Sequence, residues 1–255
     1  MIDTHCHLTF HELENDIDAV LERSADAGVT GWITIGTDTE HNEKAAKLAG
    51  LYDNMYAAVG IHPHYAKDIA AKDIEILEQL AAGEKIVAVG ETGFDFHYNL
   101  SPAQQQKQLF VKHLEIAEKL DLPVVIHSRN AFDETIGVLD EFASGIDKIV
   151  FHCFGGDVAQ AKAIIDKGYY ISFTGVVTFK SAEIARNVVK SVPTERIMLE
   201  TDCPYMSPAP MRKQKINEPA LMVHTAKLVA ELKGLDFESF AQLTTKTSKD
   251  FFNLL

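Results

Sequence analysis

The chain has 255 residues, 46% of them hydrophobic and 9% aromatic, with a formal charge of −13 at pH 7. That length and apolar share can bury one sizeable core and exclude a disordered chain. The acidic balance argues against a large basic surface for gripping duplex DNA, yet it leaves phosphate substrates open, because bound cations invert the local field of an acidic cleft.

From the N-terminus onward, short apolar or β-branched runs bounded by turn residues predict strands at Ile2–His5, Gly31–Ile35, Tyr56–Ile61, Ile86–Glu91, Pro123–His127, Lys148–His152, Tyr169–Phe173 and Arg196–Thr201. Between them, amphipathic patterns predict helices at Asp18–Ala27, Ile74–Ala82, Ala103–Leu120, Ala159–Lys167 and Ala182–Lys190. Ser101 is expected to cap the long third helix, with Pro102 at its first position and Gln104 completing a capping box. Gly28, Gly83, Gly168 and Gly234 fall where helices should stop.

Alternating strands and helices without a Pro/Gly/Ser-rich linker predict one domain over residues 1–255. An open doubly wound sheet would carry the same local signals as a closed barrel. The placement of polar residues decides between them. The apolar runs end in His5, Glu91, His127, His152 and Asp202, and groups from several strand ends converge only where the sheet closes. The expected fold is therefore a single α/β (β/α)8 TIM barrel with its active site at the C-terminal ends of the strands.

His5 and His7 are two apart on an extended segment, so both can face one ion; alone, such a pair is more often a surface or capping feature, and here it closes the first strand. Glu91 follows the apolar run Ile86-Val87-Ala88-Val89-Gly90. A buried lone carboxylate is costly, so it should be paired or metal-bound. Each of its oxygens can ligate a different ion. His127 and His152 each end an apolar strand, and with Asp202 they complete a nitrogen and oxygen donor set suited to Zn, Mn or Mg.

No run of about 18 apolar residues occurs, and Met1-Ile2-Asp3 lacks the parts of a signal peptide, so a cytoplasmic location without membrane contact is expected. Cys6, Cys153 and Cys203 form no Cys-x-x-Cys pair and are expected to be reduced packing thiols.

Six segments together resemble the TatD family of metal-dependent deoxyribonucleases, among the amidohydrolase-like barrels, essentially end to end. They are Asp3-Thr4-His5-Cys6-His7-Leu8, Gly60-Ile61-His62-Pro63-His64, Gly90-Glu91-Thr92-Gly93-Phe94-Asp95-Phe96, Ile126-His127-Ser128-Arg129, His152-Cys153-Phe154-Gly155-Gly156 and Glu200-Thr201-Asp202-Cys203-Pro204-Tyr205. The resemblance implies two divalent metal ions, one on His5, His7, Glu91 and Asp202, with Glu91 bridging to a second on His127 and His152. It also implies hydrolysis of phosphodiesters at nucleic-acid ends, best single-stranded DNA from the 3′ end, by water activated between the ions. Glu91 and Asp202 are the expected catalytic residues, Asp202 taking the proton of the water. Two segments depart from the family pattern: Arg212-Lys213-Gln214-Lys215-Ile216-Asn217-Glu218-Pro219 after the last strand, and Thr245-Lys246-Thr247-Ser248-Lys249 in the last helix. Neither contains an expected ligand.

His62 and His64 could donate to a phosphate or simply shape a loop. Arg129 could grip a nonbridging oxygen with its planar fork or remain a surface cation. Trp32 is expected in the core, and His11, His41, His97, His113 and His224 on solvated or helical faces. The rival functions are a carbon-nitrogen or carboxylic-ester hydrolase on the same barrel, and a non-catalytic module with a structural metal site. No obligatory protein partner is expected.

Overall fold

The computed structural model describes residues 1–254. Its strands are β1 (Ile2–Cys6), β2 (Gly31–Ile35), β3 (Met55–Val59), β4 (Ile86–Asp95), β5 (Val124–Arg129), β6 (Ile149–Phe151), β7 (Tyr170–Phe173) and β8 (Ile197–Leu199). They form one eight-stranded sheet in the order β1 to β8. With helices α1 (Ile17–Asp26), α2 (Thr39–Ala49), α3 (Ala71–Ala81), α4 (Ala103–Leu120), α5 (Phe132–Phe142), α6 (Val158–Asp166), α7 (Glu183–Ser191), α8 (Met222–Lys233) and α9 (Phe237–Phe252) in alternation, this is the (β/α)8 barrel class.

The chain packs as two compact units, one made of Met1–Thr34 with the segment from Cys153 onward, the other of Ile35–His152. In the first unit β1 pairs in parallel with β2, and β7 with β8. The first and last strands also meet there: Thr4 Oγ1 donates to Leu199 O, Asp202 N to His5 O and His7 N to Cys203 O. In the second unit β3, β4, β5 and β6 pair in parallel one after another. Val, Ile and Ala fill these strands because branched side chains suit a sheet buried on both faces, and β1, β2 and β4 are buried along their whole length.

Glycine decides the course of β4. At Gly90 (φ +147°) an added Cβ would lie 2.6 Å from Val125 O, and at Gly93 (φ +135°) 2.2 Å from His127 O. Only a residue without Cβ lets β5 approach this closely with such a backbone. Between Val89 and Thr92 the strand spends three steps where β5 takes two, from Val124 to Ile126. That bulge contains Glu91, and bulges re-aim side chains beside active sites.

Several local expectations need correction. Ser101 does not cap α4, which has no side-chain cap. Its hydroxyl instead donates to His64 O and accepts from Lys67 N. Gln104 is exposed, and it is Gln106 that reaches back, accepting from Asp95 N and donating to Ser101 O. Loop tethering at the strand ends takes the place of a capping box. Trp32 is buried as expected, its Nε1 donating to Ser24 Oγ. No helix among the described residues is long and apolar enough to cross a membrane.

His113 is the other correction, a fully buried residue on α4 and not a solvated one. Its Nε2 accepts from Ile61 N at 2.8 Å, and its Nδ1 lies 2.7 Å from Leu109 O, which requires Nδ1–H as the donor. Both ring positions are committed to the neutral form. Burial pulls the imidazole down to about 4, against the opposing bond to Leu109. The folded value lies below the unfolded 6.5, so this stability is present above pH 6.5 and lost as pH falls toward 4. At roughly 1.4 kcal/mol per pH unit, the loss should reach about 3 kcal/mol. Urea unfolding of wild type and His113→Gln at pH 7 and pH 4 measures it: the variant should lose about that much less stability than wild type on acidification, and parallel losses would contradict the assignment.

Candidate metal centre

In the first unit, His5, His7 and Asp202 gather at the junction of β1 and β8. Asp202 Oδ1 lies 3.6 Å from His5 Nε2 and 3.2 Å from His7 Nε2. The two histidine rings meet edge to face at 5.0 Å. Their donor atoms fall within 4.8 Å of one another, close enough for one ion. A register shift between Asp3 and Cys6 on β1 accompanies this placement.

Buried acceptors hold that group in place. Asp3 accepts from Thr201 N at 3.0 Å, Thr201 Oγ1 at 2.6 Å and His5 N at 3.3 Å. Burial raises the Asp3 carboxyl to about 7, against the lowering effect of these bonds. Asn217, fully buried, donates to Thr201 O and Tyr205 O and so brackets the turn that carries Asp202. Glu200 accepts from Cys153 N and Ser172 Oγ, both at 2.6 Å.

In the second unit, three imidazoles converge on one oxygen of Glu91. Glu91 Oε1 lies 2.5 Å from His127 Nδ1, 2.7 Å from His152 Nε2 and 3.5 Å from His62 Nε2. Burial would raise this carboxyl, but His152, His62 and His127 hold it well below the usual carboxylate range. His127 Nδ1 and His152 Nε2 are also only 3.3 Å apart. Two such nitrogens beside a carboxylate share protons or share a cation, so this donor set fits a divalent ion.

Hydrogen bonds sort ligands from donors. His127 Nε2 sits 3.1 Å from Asp95 Oδ2, so the proton belongs on Nε2 and the Nδ1 lone pair faces Glu91. A carboxylate behind a histidine is the usual means of fixing a metal ligand's tautomer and ring orientation. His62 is the opposite case. Its Nδ1 accepts from His64 N at 3.2 Å, so Nε2 of the neutral ring carries hydrogen and acts as a donor. Burial lowers His62 to about 4, which keeps it neutral. It also caps the 3-10 turn Pro63–Asp68. His62 is thus brought to Glu91 as a donor while also serving the loop.

His64 Nε2 reaches Asp95 Oδ2 at 3.0 Å, and Arg129 is exposed, its guanidinium 4.7 Å from the Tyr98 ring centroid. Cys203 is buried and Cys153 partly so. Asp95 is the residue that sequence reasoning missed. It is fully buried, accepts from His97 N and Tyr98 N through Oδ1, and holds two histidines through Oδ2. Its signal was available: a carboxylate four positions after Glu91 in the same apolar run. Asp95→Asn keeps the shape but weakens the acceptor for His127 Nε2–H, so divalent-metal affinity should fall roughly 10- to 100-fold. Calorimetric titration with Mn²⁺ checks this; unchanged affinity would separate Asp95 from the metal centre.

Residues 2–253 match the family described as TatD related DNase. The whole chain is 36% identical over 254 residues to the uncharacterized metal-dependent hydrolase YabD of Bacillus subtilis, covering 99% of that protein. It is 34% identical over 260 residues to the 3′-5′ ssDNA/RNA exonuclease TatD of Pantoea ananatis, with all of both chains covered. Among solved structures it superposes on YJJV, a TatD homologue of Escherichia coli K12, with a TM-score of 0.94 at 31% identity, over 100% of this chain and 98% of that one. Barrel topology and full-length similarity agree: the chain belongs to the TatD family of metal-dependent hydrolases, acting on ester bonds.

Proposed function

We propose that residues 1–255 act as one catalytic domain that hydrolyses phosphodiesters at the 3′ ends of single-stranded nucleic acid, DNA foremost, with two divalent ions. The observation that carries this reading is the convergence of His127 Nδ1 and His152 Nε2 on the Glu91 carboxylate within 2.7 Å. The name of the Pantoea relative, an exonuclease for single-stranded DNA and RNA, supports the substrate class. A cytoplasmic setting suits three cysteines that form no disulfide.

In this reading His5, His7, Glu91 and Asp202 would hold one ion, and His127 and His152 would hold the other together with Glu91. When bound, divalent cations lower the pKa of water toward neutrality and offset charge at the phosphoryl group. The remaining work falls to the chain. Asp202, its side chain 14% exposed, is open enough to take a proton from the attacking water. His62 Nε2–H and the His64 ring offer donors to a phosphate oxygen, and the Arg129 fork can grip a second oxygen in bidentate fashion.

Glu91→Gln tests the assignment. An amide oxygen can serve one cation, but the NH₂ group cannot serve another. The second ion should be lost, and single-turnover cleavage of a short oligonucleotide should slow roughly 10²- to 10³-fold, mainly in kcat. Native mass spectrometry supplies the ion count in parallel. Two ions and normal turnover in Glu91→Gln would refute the bridging role, while turnover of amide or lactone substrates in place of oligonucleotides would move the enzyme to another class of hydrolase.

A further inference from the structure

Asp95 does more than orient histidines. Its Oδ1 accepts from the backbone N–H of Tyr98 at 2.8 Å while its Oδ2 holds His127 and His64. One buried carboxylate therefore fixes Tyr98 relative to the candidate metal ligands of this unit. The residue is nevertheless 55% exposed. Its ring stands perpendicular to His64 with centroids 5.5 Å apart and lies under the Arg129 guanidinium at 4.7 Å. No group among the described residues accepts a side-chain hydrogen bond from Arg129. Stacking on an aromatic face leaves the N–H edges of a guanidinium open for a phosphate.

We propose that Tyr98 is the stacking platform for the 3′-terminal base of the substrate, an inference that rests on the phosphodiesterase reading above. The ring is exposed, and its backbone N–H is anchored on the same carboxylate that holds His127 and His64. Stacking also answers a difficulty posed by the charge of −13. A nucleic-acid end can be held by a π-face, which every base offers, without a basic groove. In a duplex the terminal base is already paired and stacked, so the platform selects unpaired ends.

The experiment compares wild type, Tyr98→Phe and Tyr98→Ala on two oligonucleotides identical except that one ends in an abasic 3′ residue. For the base-bearing end, Tyr98→Ala should raise KM roughly 10- to 100-fold, the loss of one base–aromatic stack. Its kcat should change little, and Tyr98→Phe should behave as wild type. For the abasic end, wild type and Tyr98→Ala should share one KM. A terminal 2-aminopurine should be quenched on binding wild type and Tyr98→Phe but not Tyr98→Ala. Equal KM changes on both ends, or none on either, would overturn the platform while leaving the phosphodiesterase reading intact. Failure of wild type to bind or cleave either oligonucleotide would overturn both. Because the ring is exposed, circular dichroism of the variants should match wild type.

Discussion

The carboxylate of Glu91 is buried, and water cannot solvate it. Removing an ion of that size from water costs several kcal/mol even after relaxation, so its charge needs compensation. His127, His152 and His62 bring ring nitrogens to 2.5, 2.7 and 3.5 Å, and of these His62 offers a neutral N–H. A divalent cation would supply the positive charge and engage the lone pairs of the other two. The backbone around Glu91 serves this requirement. Gly90 and Gly93 admit β5 at distances that any Cβ would forbid, and the bulge at Glu91 interrupts the ladder where the candidate ligands come together.

The junction of β8 and β1 obeys the same logic with different parts. Asp202 has φ +52°, a conformation favourable mainly to glycine, asparagine and aspartate. It is held by the hydrogen bond from its own N–H to His5 O and by Asn217 on either side of its turn. Asp3 ties β1 to Thr201 through two bonds and accepts a third from His5 N. In each unit a buried acceptor behind the candidate ligands does the positioning: Asp3 in one, Asp95 in the other. This is the arrangement that makes a metal site selective for one geometry.

Much of this was legible from residue order. All eight strands lie where apolar runs predict them, because a strand covered on both faces is largely apolar. The five candidate ligand positions stand out as polar residues within or shortly after those runs. Asp95 was harder to read: β4 runs four residues beyond Glu91, and the extension depends on Gly93, whose meaning is visible only once β5 lies against it. His113 escaped because a histidine in an amphipathic helix reads as a surface residue until its partners, Ile61 N and Leu109 O, are known. The pattern Ser101-Pro102-x-Gln104 matched a capping box, but Ser101 is committed to the His64 loop. Helices α2, α5, α8 and α9 were not among those predicted, although for α2 and α9 the caps Asp38 and Asp236 mark the start.

In the proposed reading the imidazole and carboxylate clusters hold two catalytic cations on a barrel that stands without them. Mn²⁺ titrated into fully chelated protein, with bound metal, cleavage of a 3′-labelled single strand and far-ultraviolet circular dichroism followed together, tests both halves of that reading at once. The stripped protein should not cleave, two ions should bind per chain, activity should rise with the second, and the circular dichroism spectrum should stay unchanged throughout. Cleavage that survives chelation, or a fold that collapses when the metal is removed, would contradict that reading.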